Sequence, residues 1–227
     1  MIFKRLLQLL WQLHQPLRSA VLTLIACASV VLLNACAPTR PAEQTTDWLV
    51  SVKRNGEPRK PISQVWLKVG TLSVTAPFDG KSLVYRLSES RYEKDFYNAY
   101  IALPNEMFAN ATRIWLNDAG IFRLTVDQSN GFFPYYTLQG HVEEFYGDYR
   151  TKPEAVVTIQ YYLSAASTSK AGNPVIFSPR YSQRIALTDN SRAALILGYQ
   201  QALTTILQQL EAEFYQKNLQ LPAPLGK

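Results

Sequence analysis

The feature that most limits how this chain can fold is a cysteine closing an apolar run, VVLLNAC, at residues 30–36. Upstream, Met1–Arg18 carries Lys4, Arg5 and Arg18 and no acid, and Ala20–Leu33 is an almost unbroken apolar stretch. At about 14 residues that stretch has the length of a signal-peptide core and is short for a membrane span, which needs ~20. Leu33-Asn34-Ala35-Cys36 has the order of a bacterial lipobox: aliphatic, variable, small, cysteine. Cleavage is expected between Ala35 and Cys36, with a diacylglyceryl group on the thiol and an acyl chain on the freed amine. An uncleaved helical anchor with an incidental cysteine is the competing reading, and the coincidence of charge, length, small residue and cysteine favours the lipobox. Two or more acyl chains hold a protein on a bilayer durably where one does not. Ala37, rather than aspartate, follows the cysteine. Under the sorting rule of Gram-negative lipoproteins, this predicts the periplasmic face of the outer membrane.

Removing residues 1–35 leaves 192, enough for one sizeable core. The remainder holds 20 basic and 17 acidic residues, so much of the basic balance belongs to the leader. No dense basic cluster with interleaved aromatics is present, which argues against nucleic acid. Cys27 lies in the leader and Cys36 is committed to lipid, so the domain has no cysteine for a disulfide and must rest on packing. His141 is its only histidine, and no metal-ligand spacing occurs. No cofactor is expected beyond the covalent lipid.

Residues 36–47 read as the lipidated N-terminus and a polar, proline-bearing tether, 48–217 as a single domain, and 218–227 as a loose tail. Trp48–Val52 is a short first strand, and 54–61 (RNGEPRKP) a loop. Residues 64–75 alternate around Gly70, predicting a half-buried strand with a bulge at the glycine. After the turn at Pro77–Gly80, strands are expected at 82–87 and 92–97. Pro104 suits the first position of a helix and Gly120 the position just past its end. A strand follows at 121–126. Asn130-Gly131 signals a hairpin, and longer strands then form a meander from Tyr135 to Leu187. Thr188–Ser191 offers several N-caps for a helix over about 191–217, with Ile196, Tyr199, Leu203, Ile206, Leu210 and Phe214 on one stripe. The order predicts an α+β fold: a mainly antiparallel, mixed sheet with two helices on one face.

With those elements in order, the chain resembles the ABC-type transport auxiliary lipoproteins, the PqiC-like family. The likeness rests on the lipobox, on LKVGTLSVTAPFDG (67–80), SLVYR (82–86), the tyrosine-rich strand before Leu103-Pro104, NDAGIF (117–122), the late meander and the closing helix. One departure is NAYIALP, with Tyr100, where the family often has a tryptophan. The resemblance implies a fold similar to the N-terminal domain of TolB. It also implies a non-enzymatic accessory to lipid transport between membranes, which docks an MCE-domain protein and an inner-membrane transport component at the outer membrane. Some members assemble into rings, so homo-oligomerisation is open to this chain as well. No catalytic residues come with the resemblance. Two other readings stand beside it: a lipoprotein regulating a cell-wall synthase or envelope assembly, and a hydrolase. The short tether speaks against the first, and the lack of a nucleophile elbow against the second.

Candidate contacts with a partner or lipid are Arg86 and the aromatic run Phe132, Phe133, Tyr135 and Tyr136. Aromatics beside a turn offer amphipathic contact, though alternate rings could equally be core. Arg86 could equally form an ion pair or bond backbone carbonyls near a strand end. His141, Glu143 and Glu144 read as a solvated strand face, with Glu144 opposite the other two.

Overall fold

A computed structural model of the chain describes residues 45–61, 63–129, 131, 133–166 and 172–216. The leader, Ala35, Cys36, most of the tether, Phe132 and the tail lie outside the described residues. The element order is β1 (Thr46–Trp48), β2 (Ser63–Val74), β3 (Ser82–Arg86), β4 (Tyr92–Tyr100), α1 (Pro104–Ala119), β5 (Phe122–Val126), β6 (Tyr136–Asp148), β7 (Glu154–Ala165), β8 (Val175–Phe177), β9 (Arg180–Ala186) and α2 (Arg192–Gln216). Among the described residues, no helix is long and apolar enough to cross a membrane.

The fold is α+β with a mixed sheet built around the long β6. Along one edge of β6, β2 and then β3 run parallel to it end to end, separated by the turn containing Pro77. Along the other edge β7 runs antiparallel through the whole length of β6. Beyond β7 lie β8 and β9, separated by Ser178-Pro179. Beyond β3 come β4 and then β1 at the edge.

Two details differ from the sequence reading. Asn130-Gly131 does not close a hairpin, because β2 lies between β5 and β6 and pairs with both in parallel. The first strand ends at Trp48 rather than Val52. Leu49 leaves the ladder, its carbonyl accepting from Gln200 at 3.4 Å, and Val50 turns into the core.

Both helices share one face of the sheet. Helix α1 starts at Pro104 and ends at Gly120, whose φ of 67° is the left-handed geometry a glycine adopts without strain. It buries Phe108 edge-on against Phe145 of β6, and its Thr112 hydroxyl lies 3.0 Å from the Tyr161 hydroxyl of β7. Helix α2 is capped by Ser191, whose hydroxyl accepts from the Ala194 N–H at 3.1 Å. All six residues of its predicted stripe are buried. Gly198 lets the helix sit close on β7: a Cβ there would lie 2.8 Å from that of Ala155.

One buried charge was not legible as such. Glu211 projects from the inner side of α2, where it accepts from Arg54 at 3.0 Å, Arg59 at 2.8 Å and the Trp115 indole at 2.9 Å. Burial works against its ionisation, but the donors Arg54 and Trp115 and the charges of both arginines hold its pKa below the ordinary value. The loop predicted at 54–61 is thereby tied to both helices.

Candidate functional sites

Four surfaces could do chemistry or docking, and the sheet topology places each. The first is the face of the sheet away from the helices. There Arg86 donates to the Ser88 and Glu89 carbonyls at 3.3 and 2.9 Å, and to the Glu89 carboxylate at 3.2 Å. It also lies over the Tyr92 ring, 5.5 Å from its centroid. Glu89 binds Arg150 at 2.9 Å, Arg150 binds Asp148 at 2.7 Å, and Arg184 bridges Asp148 and Glu154 at 2.6 and 2.7 Å. Three arginines thus alternate with three carboxylates across β3, β6, β7 and β9. Each cation already has an anion, so Arg86 locks a strand end rather than offering a free charge.

His141, Glu143 and Glu144 lie on this same face. A bulge between Val142 and Glu144 turns both glutamates the same way, against the strict alternation expected of a strand. Glu143 pairs with Arg180 at 2.7 Å, while Glu144 accepts from Thr158 at 2.6 Å and Tyr146 at 3.1 Å. The His141 nitrogens lie 2.7 Å from the Ser73 hydroxyl and 2.8 Å from that of Thr75.

The second surface is the predicted aromatic run before β6, which separates into different roles. Phe133 is fully exposed. Tyr135 is half-buried, edge-on to Tyr136 at 4.7 Å between centroids. Tyr136 is wholly buried beside Phe122 and belongs to the core, so it is not available to a partner. The strand's alternation explains this, because Tyr136 is the first β6 residue on the helix-covered side.

A cleft of about 490 Å³, the third surface, opens near this end of the sheet. It lies between the β2 bulge at Gly70–Thr71, the outer side of α1 at Glu106, Asn110 and Arg113, and the turn at Asp127–Ser129. The glycine permits the bulge: a Cβ there would stand 3.1 Å from Gln139 and 3.2 Å from Gln128.

The fourth surface escaped the sequence reading, which took YEKDFY as plain strand. Opposite Ser82 and Val84 of β3, the register of β4 jumps from Lys94 to Ala99, so 95–98 form a knuckle. Asp95 pins it from inside. Its carboxylate accepts from the Tyr85 hydroxyl at 2.5 Å, the Tyr97 and Asn98 N–H groups at 2.8 and 2.9 Å, and the Asn98 amide at 3.1 Å. Arg192 of α2 lies 3.3 Å away. Burial opposes ionisation of Asp95, but the hydrogen bonds outweigh it and hold its pKa at about 2. Asn98 also receives the Trp48 indole N–H at 2.9 Å, fastening the edge strand β1. Held between these anchors, Phe96 projects with 89% of its surface exposed, and Tyr97 beside it is also exposed. Asp95 followed three residues later by Asn98 is an Asx-turn pattern that could have signalled the feature.

No family model matches the sequence, and no curated protein matches it. The fold does have relatives among solved structures. A Xanthomonas campestris protein of the DUF330 family superposes with a TM-score of 0.65 at 19% identity, covering 77% of this chain and 99% of that one. This chain has the fold of that protein. A second solved structure, of an uncharacterized protein, matches with a TM-score of 0.54 at 15% identity, over 73% of this chain and 99% of the other. At these identities the likeness establishes architecture alone.

Proposed function

We propose that this chain is a lipid-anchored periplasmic lipoprotein of the outer membrane that acts as a non-enzymatic accessory of an intermembrane lipid-transport system. It would dock an MCE-domain protein and its ABC-type or related inner-membrane component. The observation that carries the reading is a lipobox ending at Cys36 ahead of a domain with the fold of the DUF330 protein over nearly all of that protein's length. In this reading the lipid fixes the domain at the membrane and the domain's surfaces do the docking. The exposed Phe133 and the cleft beside α1 are the two features we assign to the partner: an uncovered aromatic and a concave, partly polar site are both elements of docking contacts. Arg86, Tyr135 and Tyr136 take no part in it, being engaged in the charge ribbon or the core.

The test is affinity purification of the acylated protein from mild detergent, with mass spectrometry of the proteins retained and Cys36→Ala as the control for anchoring. Recovery of an MCE-domain protein, reduced by Phe133→Ser, supports the reading. Recovery of cell-wall synthases, with no MCE-domain protein under crosslinking, would replace it with the regulatory alternative.

A further inference from the structure

Strand β1 begins at Thr46, and Thr46 pairs with Asn98, so the chain arriving from the N-terminus meets the domain beside the Phe96–Tyr97 knuckle. Cys36 lies ten residues before Thr46. A chain of that length spans at most about 35 Å when fully extended. Whatever Cys36 is anchored in is therefore held close to this edge of the sheet.

This edge carries apolar side chains that the core does not take up. Phe96 and Tyr97 stand at the knuckle, Ile101 (59% exposed) follows at the end of β4, and Leu49 leaves β1. Helix α2 adds Leu197, 64% exposed, between Arg192 at the Asp95 carboxylate and Gln200 at the Leu49 carbonyl. The exposed Lys94 lies two residues before Phe96, and Lys81 donates to the Ile101 carbonyl at 3.1 Å; Asp47 is the exposed acid of β1. Aromatic and aliphatic tips among lysines are the side chains that partition into the headgroup region of a bilayer, where a ring is buried and amphipathic groups reach water.

We propose that the Phe96–Tyr97 knuckle is a second membrane contact, inserting into the lipid surface beside the acyl anchor and fixing the orientation of the domain. The inference rests on the lipid-anchored reading above for bringing the bilayer to this edge. Asp95 gives the contact its backbone rigidity: by accepting from the Tyr97 and Asn98 N–H groups, it fixes the turn that carries both rings, so less backbone freedom is lost on insertion. The end of β6 that begins at Tyr136 lies further along the sheet from this contact. The β6 positions from Tyr136 to Phe145, against which Tyr100 stacks at 5.0 Å, span roughly 30 Å.

The test uses the full chain, processed in cells and reconstituted on vesicles of phosphatidylethanolamine and phosphatidylglycerol. With Cys36 blocked by lipid, Tyr97→Cys supplies the one thiol for a nitroxide label, and Phe133→Cys provides the same label at the far end. The expected result is several-fold more collision with oxygen than with a water-soluble nickel chelate at position 97, the reverse at position 133, and loss of the position-97 signal when Phe96→Ser is added. Equal access of the chelate at both positions would overturn the proposal. So would a position 97 shielded from both reagents and crosslinked to a second protein, which would make the knuckle a protein-docking element. Intact mass of the same sample reads the anchor separately. If the leader is retained and unacylated, the lipoprotein reading fails; adding Cys27→Ser and Cys36→Ser then keeps position 97 the one thiol, so that the label still reports whether the knuckle enters the bilayer.

Discussion

Asp95 and Glu211 are both carboxylates removed from water, yet they shape the molecule in opposite ways. Glu211 is held by two arginines of the loop 54–61 and the Trp115 indole of α1, and it draws that loop inward against the helices. Asp95 is held mostly by neutral donors, three of them within its own next three residues, and it forces Phe96 and Tyr97 outward. A buried charge satisfied over long range serves packing. One satisfied locally can hold an irregular piece of strand in a shape that leaves its side chains to solvent.

The sharpest way to break the comparison is to remove each carboxylate. Glu211→Ala leaves two arginines and Trp115 without their acceptor, and about 3–5 kcal/mol of stability should be lost in urea unfolding, as for other broken buried ion pairs. Asp95→Ala should cost less, about 1–3 kcal/mol, because its donors include backbone groups near water. Its second effect should be local: faster amide exchange at Tyr97 and Asn98, with α2 unaffected beyond its first turn.

A pH titration sharpens the same contrast. The folded-state pKa of Asp95 is depressed to about 2, so its contribution is fully present above its unfolded value near 4 and is lost as pH falls from there toward 2. The stability difference between the wild type and Asp95→Asn, measured by denaturant unfolding, should therefore be constant from pH 7 to about 5 and shrink by roughly 2 kcal/mol toward pH 2. A difference that stays flat across that range would mean Asp95 is not held as described. The smallest effect belongs to the tip itself. Phe96→Ala should change stability by less than about 0.5 kcal/mol, since the ring has almost no contacts to lose.

Much of the architecture was legible in the sequence because it follows from periodicity and local chemistry. Pro104 and Gly120 bracket α1, Ser191 caps α2, and the six apolar residues of α2 fall on its buried stripe. What periodicity does not carry is the choice of strand partner. Asn130-Gly131 looked like a hairpin, yet β5 and β6 are separated by β2, whose Leu67, Val69 and Leu72 make it a central strand. The candidate contacts divided along the same line. Phe133 and Tyr136 are near neighbours of similar chemistry, but Phe133 precedes β6 and is exposed, whereas Tyr136 opens β6 on the helix-covered side and is buried. Arg86 was legible as a strand-end lock, but its place among Glu89, Arg150, Asp148 and Arg184 needed three other strands to be brought together. The knuckle was missed because one irregularity hides in an otherwise plain strand pattern.

A lipid anchor at Cys36 requires the mature chain to begin there. Intact mass spectrometry of the protein extracted from its own membranes tests that directly. The account predicts a chain starting at Cys36, with the mass of residues 36–227 plus a diacylglyceryl group and an N-linked acyl chain. A full-length, unmodified chain of 25.7 kDa would contradict it.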